Sequence, residues 1–419
     1  MDTLPACDAG TGATVAEPMN ADANAGHGTS HDAGDGTGHG DGTRAVPGAW
    51  GGVVAAALLL SGGAPVFAEE PPAQAEIAAK FLSYRDRQPG LDRIKVNAPS
   101  VYLMVPFAGR WSVEGSVVTD SVSGASPRYH SAISGASRLD EYRKAGDVRL
   151  TRYNDRDAWS VGAAYSIEHD YRSRTLSADY RRSSEDNNRS WNIGAAYSND
   201  WIGSSDDPTL SRSRNTLQMI AGVTQAWTAN DLLQFNLGGS WGHGFYNDPY
   251  KFPDRRPDTR DQYTAMLRWN HHFQDWKTTL RSSWRYYADS YGVRANTLET
   301  AWVQPLRGGW TVTPLLRYTT QRAARFYYDP VYDPTLGAPF PPGYTSTSPQ
   351  YISGDHRLSA FGAVTAGLKV AYEFRPRWVA DLSIEHYEQR ADWRLGGHGS
   401  PGLDRFQADW LQVGISHKF

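Results

Sequence analysis

Cysteine is nearly absent from this chain: 419 residues include one, Cys7, alongside only 5 methionines. A lone thiol excludes an internal disulfide and any metal centre built on several thiolates. A formal net charge of −3, with no basic run, lacks the electrostatic footprint of a nucleic-acid binder. Long apolar runs are scarce too. Only the stretch around Val53–Leu60 approaches the roughly 18 apolar residues that a membrane helix requires. A helical membrane protein is therefore excluded. No HExxH metal-hydrolase motif occurs, no glycine-rich phosphate loop is present, and no nucleophile elbow is expected.

What the chain does have is aromatic residues and alternation. It carries 15 Trp and 23 Tyr, residues that settle at the two interfaces of a bilayer. Its last nine residues, LQVGISHKF, put Leu411, Val413, Ile415 and Phe419 on one face and Gln412, Gly414, Ser416 and Lys418 on the other. A strand with one face in lipid and the other in a wet lumen must alternate in this way. Similar segments recur at about 78–87, 92–107, 111–122, 146–155, 158–170, 172–183, 189–200 and 213–227. They continue at about 232–246, 259–273, 276–289, 293–305, 310–325, 356–374, 378–390 and 405–419.

The count is even, and short polar turns alternate with longer loops, as in outer-membrane barrels. The expected fold is all-β: a transmembrane antiparallel up-and-down β-barrel of about 16 strands, porin-like, in a bacterial outer membrane with both termini periplasmic. Trp111, Trp159, Trp191, Trp276, Trp310 and Trp378 each follow a short turn and are expected in the aromatic girdle. In the second strand Ile94, Val96 and Ala98 fall out of phase with Val101, Leu103, Val105 and Phe107. That offset predicts a bulge at Ala98-Pro99-Ser100, where a proline is tolerated.

Ahead of the barrel, residues 1–43 are rich in Gly, Ala, Asp and His and read as a disordered leader or an over-extended start. His27, His31 and His39 lie there among aspartates, but composition alone fixes no ligand geometry and no metal is expected. Leu4–Cys7, LPAC, imitates a lipoprotein box with no apolar segment before it. Residues 44–68 read as a signal peptide, with Val53–Leu60 as apolar core and Val66 and Ala68 as the cleavage pattern. The outer-membrane barrel is then expected to span 69–419.

From about Lys80 to Phe419 the chain resembles a bacterial family of outer-membrane barrels catalogued as domain of unknown function 3570. The resemblance rests on RIKVNAPSVYLMVPF, on DSVSGASPRYHSAISGASRLDEYRKAGDVRLTRY from Asp120 to Tyr153, and on GDHRLSAFGAVTAGLKVAYEF from Gly354 to Phe374. It implies a barrel and brings neither an activity nor catalytic residues.

The same alternation assigns lumen charges. Glu114, Asp120, Glu168, Asp179, Asp381 and Glu385 are expected to point inward from the third, fifth, sixth and fifteenth strands. Arg268, Lys277, Arg281, Arg285 and Arg317 are expected to do so from the tenth to the thirteenth. In a closed circle the eleventh strand faces the third, setting Arg281 and Arg285 across from Glu114 and Asp120. Such a transverse field tunes ion selectivity; the alternative is a salt-bridge network that closes the interior. Two loops are placed to govern permeability: Ser121–Ala145 as a constriction and Phe326–Asp355 as an ordered cap. Within the second, Asp329 and Asp333 precede prolines and read as turn formers rather than calcium ligands.

These readings converge on a porin-like passive channel for small polar or charged solutes. A non-conducting barrel that scaffolds a periplasmic or surface partner is the alternative. A lipid-active enzyme ranks third: His271, His386 and His417 face outward, yet none has a neighbour suited to catalysis, so no enzyme is expected. The expected partners are outer-membrane lipid and lipopolysaccharide, the barrel-assembly machinery through the strand ending in Phe419, and a small solute of unknown identity. No cofactor and no nucleic acid are expected.

Overall fold

The structure is a computed structural model that describes residues 70–125, 138–250, 254–328, 345 and 351–419. The leader, the signal peptide, Cys7, Asp329, Asp333 and residues 126–137 of the expected constriction lie outside the described residues.

The chain forms β1 (Glu76–Gln88), β2 (Leu91–Phe107), β3 (Trp111–Ala125), β4 (Arg138–Tyr153), β5 (Asp157–Ile167) and β6 (Tyr171–Ser183). There follow β7 (Arg189–Ile202), β8 (Arg212–Ala226), β9 (Asp231–Gly244), β10 (Asp254–Arg255), β11 (Thr259–Phe273) and β12 (Thr278–Asp289). The last are β13 (Arg294–Pro305), β14 (Trp310–Arg322), β15 (Ile352–Ser353), β16 (Phe361–Arg375), β17 (Trp378–Arg390) and β18 (Phe406–Lys418). All but β10 and β15 join one closed antiparallel barrel in chain order, with β1 beside β18. The two short strands pair with each other. Closure is continuous from Glu76↔Lys418 to Arg87↔Gln407, and Ala75 and Phe419 exchange both backbone hydrogen bonds at 2.9 Å.

Alternation decides which face each side chain takes. In β5, Trp159, Val161, Tyr165 and Ile167 are exposed on the outside, while Ala158 and Ser166 are buried inside. Leu176, 68% exposed, and Val117, 60% exposed, would be unfavourable in water and are at home against lipid. At the end of the barrel that carries the short turns, aromatic rings pack around the outer rim. Trp310 stacks on Tyr372 at 4.2 Å, Trp378 on His417 at 4.1 Å and Phe273 on Trp276 at 5.6 Å. The expected girdle is therefore present.

Tight turns at this end use left-handed backbone at Ala108, Asn187, Lys277 and Arg377, with φ of 50°, 54°, 50° and 69°. Lys277 is consequently a turn residue, exposed, and not the lumen lysine that a strand from 276 predicts. At the opposite end the connections are uneven: β1–β2, β5–β6 and β12–β13 are short, and others fold back over the barrel mouth.

The predicted bulge at Ala98-Pro99-Ser100 does not form. Pairing of β1 with β2 runs unbroken through these residues and shifts instead between Arg85 and Arg87. Ile94, Val96 and Ala98 are out of phase with Val101 and Leu103 because they face inward, where they are buried. Ile94 and Val96 belong to a core inside the barrel mouth with Tyr84, Phe361, Tyr387, Phe406 and Trp410.

Candidate functional site

Inside the barrel, most inward carboxylates lie beside a cation. Arg149 on β4 stands directly across from Glu114 on β3 and lies 3.6 Å from it and 3.5 Å from Asp179 on β6. The Tyr102 hydroxyl also donates to Glu114 at 2.9 Å. Arg143 donates through Nε to Asp120 at 2.6 Å and reaches Glu168 at 4.0 Å. Glu168 itself sits in the β5–β6 loop rather than in a strand. Lys369 lies 3.6 Å from Asp381, and Arg317 pairs with Glu299 at 2.7 Å. Glu385 is buried, across from Gly367 on β16 and Trp410 on β18.

The wall of β11 and β12 differs. Arg268 has no carboxylate across from it in register: its cross-strand neighbours are Gln234 and Ser283, and it donates to Gln234 at 3.3 Å. Arg281 lies between Asn270 and Ala301 and is exposed to the lumen. Arg285 lies between Met266 and Thr297. In the closed strand order β12 is diametrically across from β3. The two walls are thus opposed as expected, but neutralised acids face a basic stripe instead of a bare acidic wall. Arg149 shares the alternation phase of the predicted strand 146–155 and was legible in it. Arg143 was not, because β4 begins at Arg138, eight residues earlier than predicted.

An ordered cap covers one mouth. The β9–β11 loop sends Tyr250 inward, where its hydroxyl donates to Asp170 of the β5–β6 loop and accepts from the Ser205 amide of the β7–β8 loop at 2.8 Å. The same loop supplies Asp254 and Arg256. Arg256 bridges Asp254 at 2.8 Å and Asp355 at 2.7 Å, and both carboxylates are fully buried. Arg357 adds contacts to Asp355 at 2.6 Å and Asp248 at 3.6 Å. Beneath them Arg93 and Asp86, both with fully buried side chains, lie 3.5 Å apart, with Arg93 5.0 Å over the Phe406 ring. Burial pushes the Asp170 carboxyl up to about 6, partly offset by the Tyr250 hydroxyl, and pushes Glu168 up to about 8.

The outward histidines have polar or aromatic neighbours. His271 contacts Asp231 at 2.8 Å, His386 contacts Asp409 at 2.6 Å, and His417 stacks on Trp378. Each imidazole thus sits in a hydrogen-bond or ring contact, with no serine hydroxyl bonded to it among the described residues. Gly238-Gly239-Ser240-Trp241-Gly242 matches the G-x-S-x-G spacing, yet it runs as extended strand within β9 and forms no elbow.

A closed sixteen-strand barrel with an apolar outer belt, a charged lumen and one capped mouth defines a transmembrane β-barrel of the outer-membrane type. Residues 133–213 and 204–410 match the family described as "Protein of unknown function (DUF3570)", and the chain belongs to that family. Among solved structures it is similar to CdiB from Acinetobacter baumannii, with a TM-score of 0.48 and 8% identity over 81% of this chain and 60% of that one. It is also similar to a bacterial polysaccharide outer membrane secretin, with a TM-score of 0.46 and 8% identity over 82% and 98%. For the siderophore receptor PirA from Acinetobacter baumannii the values are 0.42 and 10% over 75% and 53%. The chain therefore spans 60% of CdiB and 53% of PirA. No curated protein matches the sequence.

Proposed function

We propose that the protein is a passive channel for small charged solutes that favours anions, and not an enzyme. The observation that carries this reading is the basic stripe: Arg268 and Arg281 face the lumen without a carboxylate across from them, while the opposing acids are matched by Arg143 and Arg149. In a narrow low-dielectric conduit such an imbalance raises the local anion concentration. The turn end, with both termini, is periplasmic in this reading, and the cap faces outward as a size filter. The closing strand, ending on Phe419, is the segment that assembly machinery reads, and outer-membrane lipid and lipopolysaccharide surround the belt.

The test is planar-bilayer conductance of the purified protein across a potassium chloride gradient. Steady steps with a reversal potential of anion sign are expected, and Arg268→Glu with Arg281→Glu moves that potential toward cation preference. An unchanged reversal potential would defeat the assignment. The buried ion network of the cap favours a second reading, a non-conducting scaffold. Silence from a folded barrel, persisting when the β9–β11 loop is shortened, would select it.

A further inference from the structure

We infer that the outer face of β3–β6, at the turn end, is a binding site for one phospholipid molecule, held by its phosphate on Arg152. Arg152 stands in the girdle row directly between two tryptophans, across from Trp111 on β3 and Trp159 on β5. Its guanidinium lies 5.6 Å over the Trp111 ring, and Trp159 packs on Tyr180 at 4.4 Å. Elsewhere in the girdle the same level is filled by ring-on-ring contacts, such as Trp310 on Tyr372 and Phe273 on Trp302.

Two other arginines of this end are engaged by carboxylates, Arg110 with Asp155 at 3.5 Å and Arg156 with Glu185 at 2.8 Å, whereas Arg189, 5.8 Å over Trp191, donates to Gln225 at 2.6 Å. Arg152 has no carboxylate within ion-pair distance among the described residues. One row deeper toward mid-membrane, Leu150, Val161 and Ala178 stand side by side across three strands. With Asn154 and Ser160, this row and the Trp-Arg-Trp rim line an open groove of about 550 Å³.

The chemistry selects the occupant. A guanidinium at interfacial depth pairs bidentately with phosphate. Flanking tryptophans hold the headgroup level, and an apolar trough beginning one row below accepts an acyl chain lying along the wall. Free phosphate would use the cation alone and leave the trough empty. The site therefore belongs to a bilayer lipid and is separate from the lumen.

Native mass spectrometry of the whole protein in mild detergent tests this, with dioleoyl phosphatidylglycerol as titrated probe and heat-modifiable gel migration confirming the fold. One lipid is expected to remain bound. Arg152→Gln should weaken its retention about tenfold, the loss of one charge-assisted pair. Ala178→Phe should do so by filling the trough, Arg152→Lys should retain part of the affinity, and Arg156→Gln should leave it unchanged. Equal retention in the wild type and Arg152→Gln would overturn the proposal and leave only annular lipid. Displacement by millimolar inorganic phosphate would overturn it as well, by showing an anion site without a lipid.

Discussion

The inner wall is built two residues at a time, a long polar side chain on one strand and a glycine across from it on the next. Arg149 faces Gly162, Asp179 faces Gly194, Glu385 faces Gly367 and Asp381 faces Gly414. Lacking a Cβ, the glycine lets its partner lie along the wall instead of standing into the lumen. A Cβ on Gly367 would meet Glu385 Cγ at 2.7 Å, and one on Gly414 would meet Asp381 Oδ2 at 2.6 Å. Gly367→Val should therefore displace the Glu385 side chain and cost about 1–3 kcal/mol, read as a lower urea midpoint of the barrel folded in vesicles. An unchanged midpoint would mean that the Glu385 carboxylate has room that the register denies it. A second substitution acts on charge: Arg149→Met leaves Glu114 and Asp179 without the cation between them. The anion preference should weaken in the same gradient measurement, and a reversal potential equal to wild type would show that these acids do not reach the conduction path.

At the scale of elements, the cap couples loops that are distant in sequence, and its latch is titratable. With the Asp170 carboxyl raised by burial to about 6, its contribution to cap stability is complete below the ordinary carboxylate range and is lost as pH rises through about 6. Glu168, raised to about 8 by burial, with Asp120 and Asp170 adding to the shift and Arg143 opposing it, acts with the same sign over a higher window. His169 and Asp248 lie within electrostatic range of Asp170 as well. Hydrogen exchange at the Ser205 and Tyr250 amides, corrected for intrinsic rates, should thus show more protection at pH 5 than at pH 7.5. Asp170→Asn should remove the lower part of that dependence and Glu168→Gln the upper part. Protection that falls on acidification would contradict the latch.

Strand positions were legible where lipid faced one side: segments 259–273 and 378–390 coincide with β11 and β17, because alternation there is imposed by two different solvents. Of the cap expected at Phe326–Asp355, Ser353 and Asp355 take part; the share of the β5–β6 and β9–β11 loops was not legible, since their residues owe their burial to partners in other loops. Residues 356–374 read as continuous strand, yet His356–Leu358 form a 3-10 turn and β16 starts at Phe361. The apolar residues that suggest alternation there are packed into the cap instead. The same cause hid the inward phase of Ile94 and Val96, which look lipid-facing only if the barrel mouth is assumed to be wet. Lys277 was misplaced for a local reason, because alternation carries no information on which residue must take the left-handed backbone of a turn.

For the whole molecule, the outer face should report a bilayer profile along a single strand. On β14, Leu316 is outward, 53% exposed and at the centre of the strand, whereas Val312 is outward and two residues from the girdle residue Trp310. A lipid-facing arginine costs about 2–4 kcal/mol at the midplane and about 0–1 near an interface, where its side chain reaches headgroups and water. Leu316→Arg should accordingly destabilise the barrel in vesicles by about 2–4 kcal/mol and Val312→Arg by about 1 kcal/mol or less. The difference, more than either value, locates the membrane plane, because backbone propensity and strand pairing are shared by the two positions. Equal costs at both depths would place the outer face of β14 against something other than a bilayer, a partner surface or a second barrel. A steeper loss at Val312 would shift the hydrocarbon slab toward the turn end, bringing the Arg152 row below headgroup level and leaving it no phosphate to meet.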